Sequence, residues 1–376
     1  MLFTIKNYTN VIYLFIILLI TAFFYQRYQH KIDRESYNDN NNYIQKYLIE
    51  KQDLDKHKKP ILWIEFDHEY NTRNWISFGS RSSYDLNQPY LYLTVKSIIK
   101  QCENSFNICM IDDNSFEKLI PGWSIDISRV SNPMKYYIRT LGMTKLLYRY
   151  GGMRVPASFV CMRDLIEMYN TGTQNNQMFM CEMVDRNITA TYHDFYPNIE
   201  FMGARKRNST VSHLTDFIQR IISNDYTDQS VFLGDFDRWC NTRIEKNKIV
   251  LIDGKLVGTK TMDDTQIIID DLLTNDYIDI YSNTYGIYIP ANEVLKRTHY
   301  EWFARMSPKQ VLESPIIIAK YLMLSNAPDA KMGIIEPLKN KPDWVSFWKV
   351  PSDAPVWGLK PNDLGDHVPR QSYPSN

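Results

Sequence analysis

A predicted helix, a pair of glycines and an apolar run follow one another between residues 132 and 164, and they constrain the fold most. The stretch reads NPMKYYIRTLGMTKLLYRYGGMRVPASFVCMRD. Asn132 is suited to the N-cap and Pro133 to the first helical position, where its missing N–H costs nothing. Apolar side chains then recur on one face of about five helical turns, at Met134, Ile138, Leu141 and Tyr148.

Gly151 and Gly152 predict the end of this helix, because glycine accepts the left-handed backbone of a C-terminal cap. Residues 153–161 are mostly apolar and predict a buried strand that leads into a loop. A strand that ends at a cleft is a common way to bring polar groups to a ligand.

Two further apolar runs predict strands earlier in the chain, ILWIEFD at residues 61–67 and FNICMIDD at residues 106–113. The region between them predicts a helix that begins at Pro89, and the second strand closes in Asp112 and Asp113. This strand, helix, strand order is typical of a doubly wound α/β sheet, whose ligands bind beyond the carboxyl ends of the strands.

Two more segments carry acidic residues at their ends or turns. Residues 178–185 predict a strand that ends in Glu182 and Asp185. Asp253-Gly254 within residues 249–260 predicts the turn of a hairpin.

The phrase LLYRYGGMRVPASFVCMRDL resembles the L-x-x-x-GG-x-x-x-D-x-D signature of glycosyltransferases of the GT-A fold. The most similar types are the DXD sugar-binding and capsular-polysaccharide-synthesis families. The resemblance implies an open mixed α/β sheet flanked by helices, and a nucleotide sugar as donor. In the family, two aspartates hold a divalent metal on the diphosphate, and here Pro156 and Ser158 occupy their positions. Thr140 and Met143 stand where the family has an Asp and an Arg.

The loss of both aspartates implies a site without a metal, because Mg²⁺ and Mn²⁺ prefer charged oxygen ligands. Arginine or lysine side chains would then meet the diphosphate. The alternative explanation is that the acidic residues lie in solvated turns and the basic residues on the solvent-exposed face of the helix. The residues expected to bind the nucleotide sugar are Asp112, Asp113, Arg139, Gly151, Gly152, Arg154 and Ser158.

Glu182 and Asp185 are the candidate catalytic residues, since a carboxylate can position or deprotonate an acceptor hydroxyl. An exposed strand end explains them as well. No cofactor is expected, because the nucleotide sugar would be a substrate.

Residues 11–25, VIYLFIILLITAFFY, are uncharged and apolar. A membrane-spanning helix needs roughly 20 such residues, so this run predicts a single-pass anchor near the lower limit of length. A cleaved signal peptide and a buried helix are the alternatives. The remaining predicted regions are a tail (1–10), a polar stalk (26–59), the GT-A-like domain (60–330) and a Trp- and Pro-rich arm packed on it (331–376).

The composition of the chain indicates which classes of partner it can bind. The formal net charge is zero, which gives no electrostatic support for nucleic-acid binding. Heavy use of Asn, Ile, Lys and Tyr indicates an AT-rich genome such as that of a giant DNA virus, which would place the anchor in a host endomembrane or virion membrane. Five cysteines without a CxxC pair predict free thiols.

The function expected from the resemblance is transfer of a sugar from a nucleotide-sugar donor to a hydroxyl of a glycan or protein. The alternative is a catalytically inactive relative of these enzymes that acts as a binding or structural membrane protein, because a fold alone does not establish chemistry.

Overall fold

The computed structural model describes residues 13, 15–25, 27–28, 59–65, 88–130, 133–184, 195–223, 229–296 and 298–326. The predicted tail, almost all of the predicted stalk and the predicted arm at 331–376 lie outside these residues. The chain divides into two units, residues 1–48 and residues 49–376. In the first unit, residues 15–25 are helical. Within the described part of the chain, no helix combines the length and apolarity that crossing a membrane requires.

Strands in the second unit form two sheets. They are β1 (Ile61–Glu65), β2 (Asn107–Ile111), β3 (Gly152–Arg154), β4 (Phe159–Cys161), β5 (Met178–Val184), β6 (Phe195–Ala204), β7 (Ile249–Ile252) and β8 (Gly286–Tyr288). Six of them form one sheet in the order β2-β1-β3-β6-β5-β7, and β4 pairs with β8 in a small second sheet. The larger sheet is mixed, because β6 runs antiparallel to both of its neighbours.

Helices flank this sheet, so the predicted α/β class is confirmed. They are α1 (Leu91–Cys102), α2 (Ser115–Leu119), α3 (Met134–Tyr150), α4 (Ile166–Gly172), α5 (Ser209–Ser223), α6 (Gln229–Glu245), α7 (Ile269–Leu272), α8 (Ala291–Lys296), α9 (Glu301–Ala304), α10 (Pro308–Leu312) and α11 (Ile317–Asn326).

Two apolar clusters bury the faces of these elements. In the first, Ile61 and Trp63 of β1 belong to the same cluster as Tyr137 and Leu141 of α3. The second cluster joins the start of α1 to β4, β8 and the C-terminal helices, with the Tyr90 ring stacked on Phe303. Burial of such side chains contributes about 1.5–3 kcal/mol each, which is the main force that holds the layers together.

The predicted central helix is confirmed as α3, and its glycine stop is confirmed by the backbone. Its start differs from the prediction, because Pro133 is the N-cap and Met134 the first helical residue, and Asn132 lies outside the described residues. Gly151 caps the helix with φ 73° and its N–H donates to the Leu147 carbonyl. Gly152 has φ 104°, and a Cβ at this position would overlap the carbonyl oxygen of Ile61. The second glycine is therefore required by the close approach of β3 to β1. The predicted apolar face is wrong at Tyr148, which is exposed, whereas its neighbour Leu147 is buried.

Two other sequence predictions are corrected. Residues 153–161 are not one strand but parts of β3 and β4, which belong to different sheets. The Phe159 N–H donates to the Pro156 carbonyl, and this turn redirects the chain. Asp253-Gly254 does not turn a hairpin, because β7 pairs parallel with β5 and a short 3-10 turn follows it.

Candidate functional site

The carboxyl ends of five strands lie along one edge of the large sheet. Strands β1, β2 and β3 run parallel to one another. Because β6 is antiparallel to both β3 and β5, strand β5 runs in the same direction as β1, and β7 is parallel to β5. Glu65, Asp112, Arg154 and Glu182 are therefore at the same edge, where α/β sheets bind ligands.

A buried ion pair joins the ends of β1 and β3. The Arg154 NH2 group lies 2.6 Å from Oε2 of Glu65, and NH1 donates to the Ile199 carbonyl at 3.1 Å. Trp63 stands opposite Arg154 in the strand register, so Glu65 projects two residues beyond it. The arginine is thus held on both sides, by β1 and by β6.

A second ion pair lies beside the first. Arg139 donates from Nε and NH2 to the two oxygens of Asp113, at 2.7 and 2.8 Å. Lys135 is one helical turn earlier on α3, and its Nζ is 3.6 Å from Asp113 Oδ2. Nε of Arg139 is also 3.9 Å from Oε1 of Glu65. The five side chains therefore form one charged cluster, which we call the edge cluster.

Within the edge cluster, the carboxylates are more exposed than the cations. The exposed fractions of the side chains are 6% for Arg154, 15% for Arg139 and 18% for Lys135, against 21% for Glu65 and 26% for Asp113. The cations therefore support the carboxylates from the protein side.

Burial raises the pKa of Glu65 above its usual range. Arg154 and then Arg139 lower it, while Glu200 of β6 and Asp113 raise it, and the overall shift is upward. The pKa of Tyr136, on α3 beside the cluster, is also raised, chiefly by removal from water and then by Glu200. Groups with perturbed pKa values at a ligand-binding edge are candidates for a functional site.

The structure places three of the predicted binding residues, Asp113, Arg139 and Arg154, in the edge cluster. The others have contacts that shape the backbone. Oδ1 of Asp112 accepts from the N–H and hydroxyl of Ser115 and so holds the start of α2. Ser158 is buried, and its carbonyl accepts from the Ile289 N–H. Gly151 accepts from the indole N–H of Trp63 at 2.9 Å, and Gly152 provides the close approach described above.

Glu182, a predicted catalytic residue, belongs to a different group of contacts. Its Oε2 lies 2.5 Å from Nζ of Lys260 and accepts from the Gly254 N–H at 2.8 Å. These contacts tie β5 to the segment after β7. Asp185, the other predicted catalytic residue, lies outside the described residues.

No family model matches this chain, and no curated protein matches it. Among the residues with described positions, no three His, Cys, Asp or Glu side chains are grouped so that they could hold a metal ion.

Sequence reasoning missed Glu65, Lys135, Glu200 and Tyr136. Two of them carried a usable signal. Glu65 is the first charge after four apolar residues of β1, and Glu200 is a single charge within the apolar run of β6. A lone carboxylate in a buried strand implies a partner, because an unpaired buried charge is costly.

Proposed function

We propose that this chain is a membrane-anchored glycosyltransferase with a GT-A-like fold, which binds a nucleotide sugar at the edge cluster. The observation that carries the proposal is the gathering of Lys135, Arg139 and Arg154 at the carboxyl edge of a mixed α/β sheet. Ligands of such sheets bind at that edge.

The chemistry follows from the charge that develops on the leaving group. When the bond between the sugar and the diphosphate breaks, negative charge collects on the phosphate oxygens. Preorganised cations stabilise this charge without reorganising. Arg139 already binds a planar carboxylate through two N–H groups, and the same fork suits phosphate oxygens. The acceptor is a hydroxyl of a glycan or protein.

The membrane part of the proposal rests on the apolar run at residues 11–25, which is helical over 15–25. The anchor would hold the catalytic unit at a host endomembrane or a virion membrane. This location follows from the residue usage of the chain, which is typical of an AT-rich genome such as that of a giant DNA virus. Trypsin treatment of intact and permeabilised vesicles that carry the full chain would test the anchor. Release of the chain by carbonate at pH 11 would refute it.

Binding of nucleotide sugars by the full chain in detergent tests the donor site. We expect calorimetry to detect UDP-sugars or GDP-sugars with an affinity that EDTA does not change. Lys135→Ala should weaken this binding about tenfold, since a charge-assisted contact contributes roughly 1.5 kcal/mol. Lys246→Ala is the matched control, because Lys246 is an exposed lysine directly after α6. Equal affinity in the two variants would exclude Lys135 from the donor site.

One observation favours a second function, that of a catalytically inactive binding or structural membrane protein. Each cation of the edge cluster lies against a carboxylate of the chain itself, and the carboxylates are the more exposed partners. An ion-pair network of this kind can be purely structural. Release of UDP or GDP from the bound nucleotide sugar separates the two functions, since the inactive protein would bind the donor without cleaving it.

A further inference from the structure

Glu65 is held in a fixed orientation by a guanidinium that is almost fully buried. Both NH groups of Arg154 are engaged, one with Oε2 of Glu65 and one with the Ile199 carbonyl. The other carboxylate oxygen, Oε1, is 3.9 Å from Nε of Arg139, which is beyond hydrogen-bonding distance. Glu65 therefore presents one oriented oxygen at the ligand-binding edge of the sheet.

Charged groups face Glu65 from four directions. Arg154 faces it from β3 and Arg139 from α3, while Glu200 faces it from β6 and Asp113 from the segment after β2. Tyr136 of α3 also interacts with it. The two acids and burial together outweigh the two arginines, so Glu65 holds a proton more readily than an ordinary glutamate. A carboxylate whose pKa has moved towards neutrality is a better proton acceptor.

The three carboxylates that the sequence analysis assigned to the site and that the structure describes, Asp112, Asp113 and Glu182, are already used by the chain. Asp113 gives both oxygens to Arg139, and Asp112 accepts from Ser115. Glu182 accepts from Gly254 and pairs with Lys260. These contacts leave the Oε1 atom of Glu65 as the best-placed acceptor in the edge cluster.

We propose that Glu65 is the catalytic base of the transfer reaction and that Arg154 is the positioning residue that orients it. This inference rests on the function proposed above. The acceptor oxygen forms a bond to the anomeric carbon of the sugar, and the bond from that carbon to the diphosphate breaks. The electron pair of the broken bond stays on the phosphate oxygen, and the proton of the acceptor hydroxyl passes to Glu65.

The test uses the full chain and water as the acceptor, so that the natural acceptor need not be known. Release of UDP or GDP is measured with UDP-glucose, UDP-galactose, UDP-N-acetylglucosamine, GDP-mannose and GDP-fucose. Glu65→Gln keeps the size of the side chain and an oxygen for Arg154 but cannot accept the proton. Glu65→Asp keeps the carboxylate at a shorter reach. Glu245→Gln, at an exposed glutamate of α6, is the matched control.

We expect Glu65→Gln to lower kcat at least about 100-fold while donor affinity stays within about threefold, because general base catalysis contributes 10²–10⁴-fold. The acidic limb of the pH profile of kcat/KM should be lost in this variant and retained in Glu65→Asp and Glu245→Gln. A kcat for Glu65→Gln within threefold of the wild-type value would overturn the inference and leave the proposed function intact. Failure of the wild-type chain to bind any of the five donors would overturn the proposed function itself, and this assignment with it. If Glu65→Gln does not fold, Glu65→Asp replaces it, and its shorter reach should lower kcat at least about tenfold because a misplaced reacting group is costly. A kcat for Glu65→Asp within about threefold of the wild-type value would then overturn the inference.

Discussion

Arg154 and Glu65 form an ion pair of 2.6 Å that links the carboxyl ends of two neighbouring strands, with the arginine almost fully buried and the carboxylate partly exposed. The two residues are 89 positions apart in the chain. The pair therefore forms only when β3 adds to β1, and it ties the central Gly-Gly segment to the first strand of the sheet.

Removal of Arg154 should be costly, because it leaves the carboxylate of Glu65 without its nearest cation. We expect Arg154→Met to lower the free energy of unfolding by about 3 kcal/mol. The double variant Arg154→Met/Glu65→Leu should recover much of this loss, since no unpaired charge remains. Urea denaturation at pH 7 measures both. A double variant no more stable than the single one would contradict this explanation.

Stability should depend on pH through Glu65. Its pKa in the folded chain is raised above 4.5, so the folded state binds this proton more tightly than the unfolded state. The contribution is fully present below pH 4.5 and is lost as the pH rises through the folded-state pKa. Glu65→Gln should therefore gain stability relative to the wild type as the pH rises from 4.5 to 8, measured by urea denaturation at each pH. A stability difference between Glu65→Gln and the wild type that stays constant over this pH range would contradict the raised pKa. Glu245→Gln is the control, whose stability difference from the wild type should not change with pH.

Gly152 should tolerate no side chain. Gly152→Ala combines a left-handed backbone with overlap on the Ile61 carbonyl, whereas Gly122 has φ 76° and open space around the position of a Cβ. We expect Gly122→Ala to cost about 1 kcal/mol from backbone strain alone. Gly152→Ala should cost roughly 3 kcal/mol more, because backbone must move to relieve the overlap. Urea denaturation compares the two, and equal losses would show that β3 does not need its close approach to β1.

Glu182 and Lys260 should show measurable coupling. Their side chains are 14% and 11% exposed, whereas Glu313 and Lys309, an exposed pair on and just after α10, are 37% and 83% exposed. A double-mutant cycle should give about 2 kcal/mol for the first pair. The exposed pair should give less than about 0.5 kcal/mol. Similar values for both pairs would show that Glu182 does not anchor the segment after β7.

The five cysteines are all buried and free, as the sequence predicts. Burial raises the pKa of the Cys109 thiol to about 12, which leaves almost no reactive thiolate near neutral pH. We expect none of the five thiols of the native chain to react with a disulfide reagent such as DTNB within minutes at pH 8. All five should react in 6 M guanidinium chloride. Rapid reaction of a thiol in the native chain would place it at the surface.

Periodicity and glycine placement in the sequence determined much of the secondary structure. The repeat of apolar residues predicted α3, Pro89 predicted a helix start close to that of α1, and Gly151-Gly152 predicted the end of α3. These predictions succeeded because they depend on local backbone geometry. The Asp253-Gly254 turn failed because its strands satisfy their hydrogen bonds elsewhere, β7 pairing with β5 instead of with a hairpin partner.

The sequence alone determined the α/β class, since strands ending in charge and a Gly-Gly break are visible in the residue order. It also predicted Asp113, Arg139 and Arg154 as site residues, and the structure brings these three together. Only the tertiary structure decided what these residues contact. Glu65 meets Arg154 through strand pairing, and Glu182 meets Lys260 through the order of β5 and β7. Ion pairs between distant residues depend on which strands become neighbours, and that choice is made by burial over the whole sheet, which no short stretch of sequence records.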